Sequence, residues 1–155
     1  VVDGEPAHAW HYALRPATAH DAAFIYAVRA AGLRPYVEQV WGWDDRSQAA
    51  RFRESFAPHR YQVIVVAGQD VGALSVEQRP HELFVADIEL LPAWRGRGLG
   101  TAILTELLRQ AQQSGRPVTL HVLRVNPAQR LYHRLGFRVV GVTRIHLQMR
   151  ADVPP

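Results

Sequence analysis

The sequence predicts a mixed α/β domain, one layer of sheet with helices packed on it. Three observations carry this. Helical spacing of apolar residues over 21–56 gives way to β-rich alternation over 61–91, and helical and strand-like stretches then alternate to residue 149. Glycine, proline and Asn-Pro punctuate nearly every change of period. The 155 residues, 48% apolar and 21% charged, suit one soluble domain with one core rather than two.

The elements follow in order. Residues 10–15 (WHYALR) read as a short strand ending at Pro16. Thr18 followed by Asp21 forms a capping box for the helix DAAFIYAVRAA, which Gly32 is expected to stop. A second helical region spans 35–56, broken near Gly42, with Asp44 or Asp45 capping its second half. Strands follow at 61–67 and 71–78 around a Gly-Gln-Asp turn, and at 83–91 after Arg-Pro-His-Glu. A helix after residue 98 carries Leu99, Ala102, Ile103, Leu107, Leu108 and Ala111 on one side and ends at Ser114-Gly115. Residues 118–125 form a strand, and Asn126-Pro127 opens a helix that Gly136 stops. Residues 137–149 close the chain as two strands. The first nine residues lack periodicity and read as a frayed terminus of a single domain, 1–155.

Composition excludes several classes. No apolar run approaches the roughly 20 residues that span a bilayer, and no signal-peptide pattern is seen, so a cytoplasmic protein without a membrane partner is expected. Cysteine is absent, which removes disulfides, thiolate metal sites and a covalent cysteine intermediate. The eight histidines lack metal-ligand spacing, and no metal is expected. All 18 basic residues are arginine; without lysine there is no Walker-type phosphate loop. The net charge of +4 suits acidic ligands and does not argue for nucleic acid.

The most informative stretch is 92–103, PAWRGRGLGTAI, between a strand and a helix. An arginine-glycine RNA tract would sit in disordered sequence. A dinucleotide fingerprint needs G-x-G-x-x-G, and glycines at 96, 98 and 100 do not match. Two readings remain: a tight turn without ligand, or a pyrophosphate cradle. In the second, unshielded N–H groups at a helix N-terminus and two arginines meet an anion.

Arg95-Gly96-Arg97-Gly98-Leu99-Gly100 resembles the acetyl-CoA motif of the GNAT superfamily of N-acetyltransferases, R/Q-x-x-G-x-G/A. Downstream, Asn126, Ala128, Tyr132 and Gly136-Phe137 resemble the family's N-x-x-A or N-x-A and Y-x-x-x-G-F pattern. The likeness covers roughly residues 12–149. It implies a single mixed, mostly antiparallel sheet with helices on both faces, and transfer of acetyl from acetyl-CoA to an amine.

The resemblance assigns the pyrophosphate to the backbone of Gly96, Arg97, Gly98, Leu99, Gly100 and Thr101, with the Arg95 and Arg97 side chains nearby. It assigns the pantetheine arm to Leu90 and Leu91, whose N–H groups could also polarise the thioester carbonyl. Asn126 would hold the arm from the other side, while serving equally as a helix cap. Tyr132 matches the family's tyrosine that protonates the departing thiolate; otherwise it is a core aromatic. The base is left open. Period two places Asp87 and Glu89 on one strand face and Phe84, Ala86, Ile88 and Leu90 on the other, making Glu89 the candidate and Glu77 the runner-up. Each could instead be a carboxylate that only attracts a cation.

For the acceptor, the family uses the first two helices. Trp41 and Trp43 could wall an apolar or cationic amine, with Glu38 or Asp44 pairing to it, or the tryptophans could pin the helix to the sheet. Without cysteine, direct attack in a ternary complex is expected. The partner is a small-molecule or peptide amine, and a homodimer is allowed. The alternatives are a silent acyl-CoA-binding or sensing domain, and an acetyltransferase acting on a protein N-terminus or aminoacyl-tRNA.

Overall fold

The computed structural model describes residues 10–40 and 42–154. Strand β1 (Ala13–Pro16) leads to a 3-10 turn at Ala19–Asp21, then helices α1 (Ala22–Val40) and α2 (Asp45–Ser55). Strands β2 (Gln62–Val66), β3 (Gln69–Gln78) and β4 (Leu83–Leu90) precede α3 (Leu99–Gln113). Then come β5 (Val118–Leu123), α4 (Gln129–Arg134), β6 (Arg138–Val142) and β7 (His146–Ala151). The seven strands form one sheet in the order β1-β2-β3-β4-β5-β7-β6. Only β4 and β5 run parallel. This is the expected single, mostly antiparallel sheet.

Two apolar clusters show that both faces are covered. On one, α3 sets Leu99, Ile103, Leu104, Leu107 and Ala111 against Ile64, Leu74, Val85, Leu120 and Met149. That stripe repeats every three or four residues, and each fully buried Leu or Ile is worth roughly 1.5–3 kcal/mol. Leu104 belongs to it, whereas Ala102 and Leu108 lie at its margin. On the other face, Ile25 of α1 and Phe52 of α2 pack on Val63 and Ala73.

The start of α1 follows the sequence. Thr18 and Asp21 form the capping box, and Arg15 donates to both Asp21 oxygens at 2.9 and 2.8 Å. Arg15 and the Thr18 amide hold the Asp21 carboxyl down to about 2.

The end of α1 does not. The helix passes through Gly32 and through Pro35 to residue 40. Burial of Ile25 and Val28, both fully enclosed, outweighs the intrinsic helix penalties of roughly 1 and 3 kcal/mol for Gly and Pro. Gly42 (φ 77°) follows the helix, and Asp44 caps α2 by accepting from the Arg46 and Ser47 amides. The β2–β3 turn also moves: Ala67 and Gly68 both have positive φ, a two-residue hairpin turn, so β3 resumes at Gln69. Among the described residues no helix is long and apolar enough to cross a membrane. The 1–9 segment lies outside the described residues.

Candidate active site

The site begins where two strands part. β4 pairs with β3 along its whole length, but with β5 only at Leu83, Phe84 and Val85. Beyond Val85 the β5 side of β4 is bare. The Leu91 N–H donates to the Val71 carbonyl at 2.8 Å. Strand alternation then turns the Leu90 N–H and C=O to the opposite, open side, where the carbonyl accepts from Arg95 Nε at 3.0 Å. The Leu90 amide therefore lies on the open side of β4, whereas the Leu91 proton is already committed to β3.

The gap opens into a cleft of about 600 Å³ lined by Glu89, Leu90, Arg95, Gly96, Gly98, Gly100, Thr101, Asn126 and Tyr132 among others. Its floor is the glycine loop. Gly96 (φ 68°) and Gly98 (φ 85°) occupy the left-handed region that glycine enters without strain. The first intrahelical bond of α3 runs from the Ala102 amide to the Gly98 carbonyl at 3.0 Å. The N–H groups of Leu99, Gly100 and Thr101 thus have no helical partner.

The two arginines diverge. Arg95 lines the cleft. Arg97 turns away, its guanidinium 4.7 Å from the Trp94 ring centroid and 5.3 Å from that of Trp10. The Trp10 indole N–H donates to the Arg97 carbonyl at 2.9 Å. The Arg97 side chain therefore lies against Trp94 and Trp10 and not among the residues that line the cleft. Leu99 is fully buried in the core and can offer only its main chain.

The opposite wall comes from the start of α4. Asn126 Oδ1 accepts from the Ala128 amide at 2.9 Å, which closes a turn ahead of α4; the helix itself starts after Ala128 without a side-chain cap, a correction to the expected Asn126 cap, and Asn126 lines the cleft. Tyr132 is buried, its ring 5.8 Å from that of Phe137. Burial first, then the Glu89 and Asp87 charges, push its phenol up to about 12. It keeps its proton throughout the physiological range.

On the far side of β4, Asp87 and Glu89 project toward α1. A bulge, where Ser75 opposes Asp87 but Val76 opposes Val85, inserts Ala86 as an extra residue. The alternation expected over 84–90 is therefore broken. Val85, Ile88 and Leu90 share the α3 face, while Phe84 packs against His121 on the other.

Asp87 Oδ2 stands 2.8 Å from Arg29 Nε, off the line of a directed hydrogen bond, so the contact is ionic. Burial raises the Asp87 carboxyl to about 6 against the pull of Arg29. Burial, then the Asp87 charge, raises Glu89 to about 8, opposed by Arg95 and Arg29. Glu89 is the carboxylate that faces the cleft.

Several expected residues lie elsewhere. Glu77 is exposed, ion-paired to Arg79 at 2.8 Å, and is not among the residues that line the cleft. Glu38 is paired with Arg34 at 2.9 Å. Trp43 points its ring N–H at Asp45, 3.4 Å away, and lines a separate pocket of about 210 Å³ between α1 and α2. Trp41 lies outside the described residues. Gly32 and Tyr36 of α1, not expected in the site, also line the cleft, as do Leu131 and Arg134 of α4. The glycine inside a helix was the available clue to the first.

A model of the acetyltransferase (GNAT) domain matches residues 58–139, more than half of the chain. The chain is 36% identical over 113 residues to the N-alpha-acetyltransferase RimI of Mycobacterium tuberculosis, covering 68% of this chain and 70% of that one. It is 28% identical over 101 residues, 65% of its length, to the mouse cysteine-rich protein 2-binding protein, but spans only 12% of that protein. Among solved structures, it resembles the PaiA N-acetyltransferase of Thermoplasma acidophilum in complex with coenzyme A, with a TM-score of 0.73 and 13% identity. That likeness covers 92% of this chain and 99% of the other, and it shows the shared fold.

Proposed function

The chain belongs to the GNAT family of acetyltransferases, and on that premise we propose that it moves acetyl from acetyl-CoA to the α-amine of a protein or peptide N-terminus, by direct attack in a ternary complex. One observation carries the reading. A carboxylate able to take a proton, a phenol that keeps its own, and a row of unbonded helix amides share one cleft. The choice of an α-amine rests on the likeness to RimI, named as an N-alpha-acetyltransferase.

The geometry supports the following roles. The N–H groups at the start of α3, with Arg95, suit the pyrophosphate of CoA. Leu90 and Asn126 flank the path of the pantetheine arm. The Leu90 amide can donate to the thioester oxygen as that oxygen gains negative charge.

Glu89 takes the proton of the incoming ammonium, directly or through one water. The amine nitrogen then attacks the carbonyl carbon, and the C–S bond breaks as Tyr132 donates its proton to the departing sulfur. The nitrogen loses its second proton as the amide forms, and that proton returns through water to the Tyr132 phenolate. The two groups are coupled. Once Glu89 is protonated it is neutral, so it no longer raises the phenol. Tyr132 becomes a better acid at the stage when the thiolate leaves. The absence of cysteine agrees with transfer that has no acetyl-cysteine stage.

The test is a panel of acceptors with acetyl-CoA, following CoA release with a thiol reagent; the protein adds no thiol background. A peptide with a free α-amine should turn over, and the same peptide Nα-blocked with a free lysine should not. The reverse preference would overturn the α-amine assignment. Parallel double-reciprocal lines would overturn the ternary complex. Stabilisation by acetyl-CoA without turnover of any amine would favour a silent binding domain.

A further inference from the structure

We infer that Gly32, in the middle of α1, is a positioning residue for Glu89: its bare helix backbone forms the seat for the carboxylate, and Arg29 one turn earlier fixes the neighbouring Asp87. This rests on the reading of Glu89 as the base.

The observation is a close approach. A Cβ built on Gly32 would lie 2.1 Å from Glu89 Oε2 and 2.7 Å from its carboxyl carbon, so the space any other residue would fill is occupied by the carboxylate. The elements match in spacing. Arg29 and Gly32 are three apart on one helix face, a rise of about 4.5 Å. Asp87 and Glu89 are two apart on one strand face, about 6.7 Å. One turn of helix thus meets two successive side chains of β4.

The Arg29 end is held from three directions. Its Nε reaches Asp87 at 2.8 Å, its Nη1 reaches Tyr61 Oη at 3.3 Å, and its guanidinium carbon lies 5.5 Å from the Phe52 ring centroid. The groups facing Glu89 are therefore Asp87 on its own strand, Arg29 on α1, Arg95 beyond β4 and Tyr132 on α4. Gly32 adds no charge of its own: it supplies the space the carboxylate occupies. A glycine inside an α-helix costs about 1 kcal/mol relative to alanine, so this position gives up helix stability where the base needs room. The atoms a methyl would meet are the end of a flexible side chain, so the fold can survive substitution while the carboxylate must move.

The experiment is Gly32→Ala, read by kcat/KM against pH and by the rise in melting temperature with acetyl-CoA. A loss of roughly 10–100-fold in kcat/KM with the acetyl-CoA effect retained supports the inference. Adding Glu89→Asp, one methylene shorter, should recover about fivefold or more over Gly32→Ala, even though Glu89→Asp alone is slower than the parent. Wild-type rates and pH profile in Gly32→Ala would overturn it, as would a double variant that merely multiplies the two losses. If Gly32→Ala folds poorly, Glu89→Ala in the same chain should restore the melting temperature; failure to do so also overturns it. Glu89→Gln separates the two levels. A fully active Glu89→Gln sinks the base, whereas an inactive one beside a normal Gly32→Ala sinks only the role of Gly32.

Discussion

The two edges of β4 are made of the same backbone and do opposite work. Toward β3 the strand is paired from Leu83 to Leu90, and even the next amide, Leu91, is bonded to Val71. Toward β5 the pairing stops at Val85. A buried strand edge with unmet N–H and C=O groups is costly unless water or a ligand meets them. The open edge is therefore where a ligand gains most from main-chain bonds, and the closed edge is what holds β4 still while it does so. Side-chain chemistry follows the same division: Glu89, Arg95, Asn126 and Tyr132 gather around the open edge.

If that division is right, the largest loss comes from the open edge. Tyr132→Phe should lower kcat by about 10²–10³-fold while acetyl-CoA still raises the melting temperature. A Phe variant with undiminished turnover would break the assignment of the proton donor. On the closed edge the strongest effect should be on folding. A Cβ on Gly72 would sit 2.4 Å from the Glu89 carbonyl oxygen, a backbone atom that cannot rotate away. Gly72→Ala should cost about 1–3 kcal/mol in urea unfolding. An unchanged midpoint would mean that the β3–β4 pairing is softer than its register indicates.

The next contrast is finer and lies within one motif. Arg95→Ala should raise the KM for acetyl-CoA about three- to tenfold with little change in melting temperature. Arg97→Ala should do the reverse, because its guanidinium rests on Trp94 and Trp10. Its loss removes about 0.5–1 kcal/mol of stability and leaves KM within about twofold. The opposite pattern would return Arg97 to the ligand side.

These residues also show what the sequence could and could not reveal. Element order was legible because period and punctuation are local: the capping box at Thr18 and Asp21 and the stripe from Leu99 to Ala111 each lie within a short window. The glycine loop and Tyr132 were legible through motif spacing. Gly32 does not stop the helix as expected; the space its Cβ would fill holds the carboxylate of Glu89, 57 positions away, and propensity cannot register such a neighbour. The packing of the Arg97 side chain was not legible for the same reason: Trp10, whose indole bonds its carbonyl, is 87 residues distant. The face of Phe84 was lost to the bulge at Ala86, since strict alternation cannot anticipate one inserted residue. The shared face of Asp87 and Glu89 was legible because both lie beyond the bulge, where the alternation is intact.

The smallest expected effect concerns how the closed and open edges communicate through charge. Glu89 sits near 8, so it is mostly protonated at neutral pH, and kcat/KM should rise with pH as the carboxyl ionises. Burial is the first cause of that elevation and the Asp87 anion the second. Asp87→Asn removes the anion and frees Arg29, which then acts on Glu89 without its counterion. Both changes favour the ionised form, so the acid limb of the profile should move to lower pH while the plateau is kept. Because burial is untouched, the limb should still lie above the ordinary glutamate range. A limb displaced to higher pH would show that Arg29 acts through Asp87 in holding the strand in place. A limb that does not move would assign the ionisation to the acceptor amine instead of Glu89.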